Sequence, residues 1–167
     1  MGTPRLGLEY NYSSGDRDPN DNKHETFDNL FPTNHKSYGY MDFVSWQNIH
    51  DLRLASSIKP AKPLTLSLDY HAFWLADVHD SFYTVGGARR GGLSPTSGNG
   101  FGINPGYNSY LGSEVDFIVS YTPKPFALLQ AGYGHFFVGD YVTSSLAALP
   151  GGATDADFLY GQFTLNF

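Results

Sequence analysis

Residues 64–74 read Leu-Thr-Leu-Ser-Leu-Asp-Tyr-His-Ala-Phe-Trp, and their alternation decides the fold. Every even-numbered position is apolar or aromatic, whereas the odd-numbered positions begin with Thr, Ser, Asp and His. This period of two is that of a β-strand with two unlike faces. A run of about ten residues matches a tilted membrane crossing, whereas strands of soluble proteins average about five or six residues. The stretch therefore predicts a membrane-spanning strand.

The same alternation recurs and predicts six strands. We expect them at about 4–13, 46–58, 64–75, 113–122, 126–138 and 157–167. Tight turns that contain proline join the second strand to the third and the fourth to the fifth, because proline fixes φ and cannot donate to a ladder. The other connections are long loops at about 14–45, 76–112 and 139–156. Short turns on one side and long loops on the other predict an all-β, antiparallel transmembrane β-barrel segment in the bacterial outer membrane, with the C-terminus periplasmic.

Residues 1–167 form one unit in this interpretation, the C-terminal part of a larger outer-membrane barrel. Six strands leave two unpaired edges, and single-chain bacterial barrels begin at about eight strands. We therefore expect further β-strands to close the barrel, from another polypeptide, a second copy of this chain or missing sequence. The N-terminus lacks the pattern of a secretory signal, which indicates a mature form or a fragment.

The composition excludes several classes of function. No apolar stretch approaches the roughly 18 residues that a membrane-spanning helix needs. Because the chain has no Cys, it has neither disulfides nor thiolate chemistry. A net charge of -6 argues against nucleic acid as a partner, since nucleic-acid binding needs basic patches.

Aromatic residues cluster near the predicted strand ends, where a ring with a polar tip suits the lipid headgroup region. The members of this expected girdle are Tyr10, Tyr12, Tyr38, Tyr40, Trp46, Trp74, Tyr121, Tyr133, Phe137, Tyr141 and Phe158. They favour outer-membrane lipid and lipopolysaccharide as the surroundings. The alternative is the core of a soluble β-sandwich, in which strand alternation looks the same.

The strand faces opposite the apolar ones are polar and predict a hydrated lumen. The expected pore-lining residues are Arg5, Glu9, Asp51, Arg53, Asp69, His71, Glu114, Asp116, Gln130 and Gln162. Rings of such charges set pore selectivity, and the alternative is that they pair with one another across strands. Ser67 shares this face with Asp69 and His71, but residues two apart on one strand point in parallel instead of forming a hydrolase relay.

Two loop segments contain residues that could bind a ligand. Residues 16–22 resemble the start of a calcium loop, but Asp21 and Phe27 stand where that loop needs Gly and Glu, so a solvated loop without metal is expected. The glycine-rich stretch 86–102 contains Arg89 and Arg90. We hypothesise that these two arginines fold inward, constrict the pore and contact anionic substrate.

Several stretches resemble the alginate-export family of outer-membrane porins. They are residues 27–36, 38–42, 112–116, 131–137, 139–141 and 163–167. The most specific is the loop run of Phe31, Pro32, Thr33, Asn34, His35 and Lys36. The resemblance implies a porin barrel of which this chain is roughly the last third, with Phe167 as a signal to the outer-membrane insertion machinery. It also implies a basic passage for a polyuronate, whereas acids outnumber Arg5 and Arg53 on the predicted lumen face.

The predicted function is that of an outer-membrane porin or channel component. It allows the passive passage of small hydrophilic or anionic solutes, including oligo- and polysaccharides. No enzymatic activity and no cofactor is expected. The alternatives are a soluble carbohydrate-binding β-sandwich module and, with less support from the residues, an outer-membrane hydrolase.

Overall fold

The computed structural model describes residues 2–32, 35, 37–92 and 100–167, and these form one antiparallel sheet. The elements are β1 (Arg5–Ser13), β2 (Ile49–Ala61), β3 (Leu64–Leu75), β4 (Tyr110–Lys124), β5 (Ala127–Val138), α1 (Asp140–Leu146) and β6 (Ala156–Leu165). Each strand pairs with its neighbours in sequence, so the sheet order is β1-β2-β3-β4-β5-β6. The predicted all-β antiparallel fold is confirmed. Within the described ranges, no helix has the length and apolarity to cross a membrane.

Two strands differ most from their expected bounds, and β1, β5 and β6 differ by one or two residues. β2 begins at Ile49 instead of 46, because Asn48 takes a left-handed conformation with φ 54° and ends the preceding loop. It ends at Ala61 instead of 58, since the register with β3 shifts after Ile58 and this irregularity accommodates Pro60 within the strand. β4 starts at Tyr110 instead of 113 and ends two residues after 122.

Helix α1 lies within the segment 139–156, which the sequence predicts to be a loop. It begins after Gly139, has Asp140 in its first turn and buries Tyr141. An acidic residue at this position interacts favourably with the helix dipole. Burial raises the pKa of Tyr141 to about 12, so its hydroxyl stays protonated. Seven residues are too few to establish a helical hydrophobic period, which is why the sequence pattern missed the helix.

The two faces of the sheet differ as alternation predicts. The outer face exposes large apolar side chains, among them Leu6, Leu8, Leu52, Leu54, Phe117, Leu129, Leu159 and Phe163. The inner face carries polar and charged side chains, several of them fully buried. An apolar surface of this extent fits lipid as its surroundings, because exposed patches on water-soluble monomers are small.

An aromatic row crosses the outer face near the end of the sheet that bears the long loops. Tyr12, His50, Trp74 and Tyr110 are successive cross-strand partners on β1 to β4. Ring centroids lie 5.0 Å apart for Tyr12 and His50 and 5.5 Å apart for Trp74 and Tyr110. Amphipathic rings at one height are typical of the headgroup girdle of a membrane protein.

Several residues expected in this girdle lie elsewhere. Tyr38 and Tyr141 are each 1% exposed and belong to the hydrophobic core. Tyr40 and Phe158 line a cavity on the inner side of the sheet. The expectation is wrong for these four residues and for Trp46, which packs against the core beside Tyr38. Position near a strand end does not reveal whether a loop folds over the inner face.

The hydrophobic core lies between the inner face and the long loops. It is formed by Tyr38, Val44, Ile49, Phe73, Leu75, Phe82, Leu111, Phe136 and Tyr141. These residues come from the strands, from the first loop (14–48), from the second loop (76–109) and from α1. The loops therefore form a packed cap over one end of the inner face.

Candidate functional site

The first loop folds onto the inner face and is held there by two acidic residues of β4. The backbone N–H of Met41 donates to Oε1 of Glu114 at 2.9 Å, and that of Tyr40 donates to Oδ2 of Asp116 at 3.4 Å. Glu114 is 0% exposed and Asp116 is 1% exposed. Each acid thus accepts one hydrogen bond from a loop amide, while Oε2 of Glu114 and Oδ1 of Asp116 are buried without a hydrogen-bond partner among the described residues.

Two glycines permit this close approach. Gly39 has a φ of +92°, and a Cβ at this position would lie 2.6 Å from both carboxyl oxygens of Glu114. Gly134 is the cross-strand partner of Asp116, and a Cβ there would lie 2.7 Å from Oδ1 of that residue. A larger residue at either position would displace the loop or the acid, since the left-handed region also disfavours side chains at Gly39.

Charged side chains of the inner face pair with one another across strands. Arg53 lies 3.3 Å from Oε2 of Glu9 and 2.5 Å from Oδ2 of Asp69. Nδ1 of His71 lies 2.9 Å from Oδ1 of Asp51, and both side chains are buried. These five residues therefore pair across strands, which is the alternative that the sequence left open to a set of free pore-lining charges.

These ion pairs also occupy two of the residues that a hydrolase relay would use, Asp69 and His71. A relay requires an acid that orients the base and a base that contacts the nucleophile. His71 is bound to Asp51 of the neighbouring strand, and Asp69 is bound to Arg53. Ser67, Asp69 and His71 are thus not joined to one another by hydrogen bonds.

Asp80 joins the first loop to the second. Its Oδ2 accepts from the backbone N–H of Asp16 at 3.0 Å and from the hydroxyl of Thr26 at 2.6 Å. Its Oδ1 accepts from the hydroxyl of Tyr83 at 2.9 Å, and Asp80 is 2% exposed. Asn48 makes a second joint, because its side-chain amide donates to two backbone carbonyls of the second loop. Among the described residues, no group of three or more His, Cys, Asp or Glu is arranged to hold a metal ion.

Arg89 and Arg90 occupy different surroundings. Arg89 is exposed and forms an isolated β-bridge with Tyr83. Arg90 lies with its guanidinium 4.7 Å from the ring centroid of Phe82 and donates from Nη2 to the carbonyl oxygen of Phe43. Burial lowers the pKa of Arg90. Arg90 therefore bridges the second loop to the first, and the hypothesis that both arginines constrict the pore stays a prediction.

The predicted pore-lining residues fall into three groups by exposure. Asp51, Asp69, His71, Glu114 and Asp116 are buried, Arg53 and Gln130 are half-buried, and Arg5, Glu9 and Gln162 are exposed. The first loop and the hydrophobic core cover much of the buried group. Their role in lining a passage stays a prediction.

The family-like loop run is described only in part. Phe31, Pro32 and His35 are described and exposed, whereas Thr33, Asn34 and Lys36 lie outside the described residues. His35 is tied to Asp42, because its backbone N–H donates to Oδ1 at 2.8 Å. Phe167 is fully exposed at the end of the chain, and its role as an insertion signal stays a prediction.

Sequence reasoning missed the residues that hold the loops. Gly39, Met41 and Gly134 lie in stretches that carry the family resemblance, at 38–42 and 131–137, but their spacing does not reveal the contact with β4. The structure brings both stretches together at Glu114 and Asp116 of the stretch 112–116. The signal in the sequence that could have indicated this contact was Gly39, a glycine between two tyrosines in a long loop.

Comparison with known proteins assigns the chain to a family. A family model described as alginate export matches residues 1–148. No curated protein matches the chain. The match covers most of the chain, including β1 to β5, the first two long loops and the acidic residues that hold the first loop. The chain belongs to the alginate export family, a family of outer-membrane transport proteins.

Proposed function

We propose that the chain forms part of the wall of an outer-membrane channel for the passive passage of small hydrophilic or anionic solutes, including oligo- and polysaccharides. The observation that carries the proposal is the contrast between neighbouring positions on the same strands. Leu8 and Leu54 are 76% and 51% exposed on the outer face, whereas Glu9 and Arg53 form an ion pair on the inner face. Strands with this alternation separate lipid from a hydrated space.

A cavity beneath the first loop, lined by both polar and apolar side chains, supports a passage along the inner face. Its volume is about 370 Å³. The polar residues that line it are Arg5, Tyr40, Arg53, Ser56, Ser57, Ser67 and Asp69. Because Tyr40 belongs to the first loop and the others to the wall, the loop narrows this space from one side. We propose that loop and wall together act as the filter.

The proposal includes an orientation and a set of partners. β1 starts and β6 ends at the end of the sheet that bears the short turns, and we propose that this end faces the periplasm. β1 and β6 each have one neighbour among the described strands, so further strands from another polypeptide, a second copy or additional sequence close the barrel. Outer-membrane lipid and lipopolysaccharide cover the outer face, and the insertion machinery receives Phe167.

The test is reconstitution of the protein, isolated from outer membranes, into planar lipid bilayers. We expect stepwise current increments that are proportional to voltage, because a passive channel has no energy-dependent step. The protein should also fractionate with outer membranes and migrate faster on gels before heating than after it. The matched control is the same preparation after heat denaturation, which should give no steps.

Two outcomes would contradict the proposal and favour an alternative. A freely soluble monomer that binds carbohydrate without bilayer activity would support the β-sandwich module. Glycoside or ester hydrolysis that is lost in Ser67→Ala, together with an absence of current steps, would support the hydrolase.

A further inference from the structure

A second cavity on the inner side has a chemistry distinct from the charged inner face. Its volume is about 250 Å³, and it lies between β5, β6 and the first loop. The residues that line it are His35, Tyr40, Gln130, Phe158, Tyr160, Gly161 and Gln162. It therefore combines aromatic rings with two side-chain amides.

The rings of this cavity form a continuous stack. Tyr40 and Tyr160 are nearly parallel, with centroids 5.6 Å apart and an interplanar angle of 7°. The ring centroid of Phe158 lies 5.7 Å from that of Tyr160, and the ring centroid of His35 lies 6.0 Å from that of Tyr40 in the first loop. The stack thus extends from the wall to the first loop, next to the contact between Tyr40 and β4.

A glycine on the neighbouring strand sets the position of Tyr160. Gly132 is its cross-strand partner, and a Cβ there would lie 2.2 Å from Cε1 of the Tyr160 ring. The Tyr160 ring therefore occupies the space that a side chain at position 132 would fill. Alternation along β6 places Phe158 and Gln162 on the same inner side as Tyr160, opposite the exposed Phe163.

The amides supply hydrogen-bonding groups beside the rings. Oε1 of Gln130 accepts from the Tyr160 hydroxyl at 3.0 Å, and its Nε2 donates to Ser120 at 3.1 Å. Gln130 is therefore held in place. Gln162 is exposed, and its one amide contact is a long one of 3.4 Å to Thr164. An amide offers both donors and acceptors, so Gln162 suits a ligand that carries hydroxyl groups.

The charge of the cavity distinguishes it from a site for acidic sugars. None of its described lining residues is Lys or Arg, and its histidine is paired with Asp42 at 3.0 Å. Glu114 and Asp116, on the neighbouring strand β4, accept hydrogen bonds from backbone N–H groups of the first loop. A ligand carboxylate would therefore lose its hydration without gaining a cation in exchange.

We infer that the stack of Tyr40, Tyr160 and Phe158, with Gln162, is a binding subsite for a neutral pyranose unit of an oligosaccharide. The apolar C–H face of a pyranose packs on aromatic rings, and its equatorial hydroxyls bind amides. The inference rests on the proposed function and narrows its solute class to uncharged sugars at this point of the passage.

The test compares two sugars that differ only in the group at C6. β-1,4-Linked mannohexaose is neutral, and hexamannuronate has the same backbone with a carboxylate on each unit. Each is added to the protein from outer membranes while the current through single channels is recorded, and its binding is measured separately by titration calorimetry in detergent. We expect the neutral sugar to interrupt the current and to bind more tightly than the uronate.

Three single-residue variants test which side chains bind the neutral sugar. Tyr160→Ala should weaken binding of mannohexaose about tenfold, which corresponds to the loss of one ring contact. Phe163→Ala is the matched control, because it removes a ring from the opposite face of the same strand. Gln162→Leu is a second probe on an exposed side chain, and it should weaken binding without any change in heat-modifiable gel mobility.

The outcomes separate this inference from the proposed function. A conducting channel with tighter binding of hexamannuronate, or with equal loss of sugar binding in Tyr160→Ala and Phe163→Ala, would overturn the subsite and leave the channel standing. Binding of mannohexaose in detergent that depends on Tyr160 and Gln162, without current steps in bilayers, would support the subsite and overturn the channel.

Discussion

The backbone N–H of Met41 and Oε1 of Glu114 lie 2.9 Å apart, although 73 positions separate the two residues in the chain. This hydrogen bond connects a loop that leaves the sheet after β1 to the inner face of β4. It places Tyr40 between the cavity beneath the loop and the aromatic stack on β6. The geometry of the proposed filter therefore depends on main-chain contacts of the first loop.

Gly39→Ala should release the first loop and increase single-channel conductance. The substitution places a Cβ 2.6 Å from the Glu114 side chain and forces a non-glycine residue to φ +92°, at a cost of about 1–2 kcal/mol from the backbone alone. Conductance in planar bilayers measures the effect. Gly86→Ala is the control, because a Cβ there has nothing within 4 Å. Equal conductance in both variants would show that Gly39 does not position the loop.

Asp80→Ala should loosen the cap formed by the first and second loops. The hydroxyls of Thr26 and Tyr83 and the amide of Asp16 lose their acceptor, and a buried donor without a partner costs about 1–3 kcal/mol. Limited proteolysis should then cut between residues 14 and 48 faster than in the unchanged protein. Asp28→Ala removes the same charge from an exposed position of that loop and should leave the cleavage rate unchanged.

Arg90→Ala should have a larger effect on channel current than Arg89→Ala. Arg90 packs on Phe82 and donates to the backbone of Phe43, whereas Arg89 is exposed. Loss of Arg90 separates the two loops, so we expect more frequent fluctuations of the open-channel current. If Arg89→Ala alone lowers anion preference, the hypothesis that this residue faces the passage is supported instead.

Arg53→Gln should shift ion selectivity towards cations. Arg53 lies between Glu9 and Asp69, and its removal leaves both acids without their cation on the inner face. The reversal potential across a salt gradient reports this change. Arg17→Gln removes one positive charge from a side chain that is 86% exposed in the first loop, and it should change the reversal potential much less. Equal shifts would indicate a general effect of net charge.

Leu54→Arg should impair stability in the membrane, whereas Ser67→Arg should be tolerated. Leu54 is exposed on the outer face between Leu8 and Tyr70, and an arginine on a lipid-facing strand position costs about 2–4 kcal/mol at the bilayer midplane. Ser67 lines the cavity between the inner face and the first loop. Urea unfolding in lipid vesicles, followed by tryptophan fluorescence, measures the difference. Similar losses would contradict the assignment of the two faces.

The alternation of the strands carried enough information to predict the sheet and its faces. Each side chain in 64–74 lies on either the apolar outer face or the polar inner face. The period of two in the sequence therefore indicates the face of each residue. Leu8, Leu54 and Phe117 lie on the outer face for this reason. The fold was therefore predictable from local pattern together with strand length.

The path of the loops was not predictable in the same way. The contact between Met41 and Glu114 is made by a backbone N–H, which every residue except proline has, so no residue type marks it. Asp80 is an acid in a polar loop, and its burial follows only from the packing of the second loop against the first. Aromatic residues such as Tyr38 and Tyr141 suit a headgroup girdle and a core equally well, and only the fold distinguishes the two.

Main-chain donors anchor the first loop to β4, so these hydrogen bonds do not depend on which side chain stands at positions 40 and 41. Proline at either position would remove a donor, and a larger residue at Gly39 would strain the backbone at φ +92° and crowd the Glu114 side chain. The proposed filter can therefore change in chemistry at positions 40 and 41 by single substitutions while these main-chain hydrogen bonds are kept. The constraint lies one residue earlier, at Gly39.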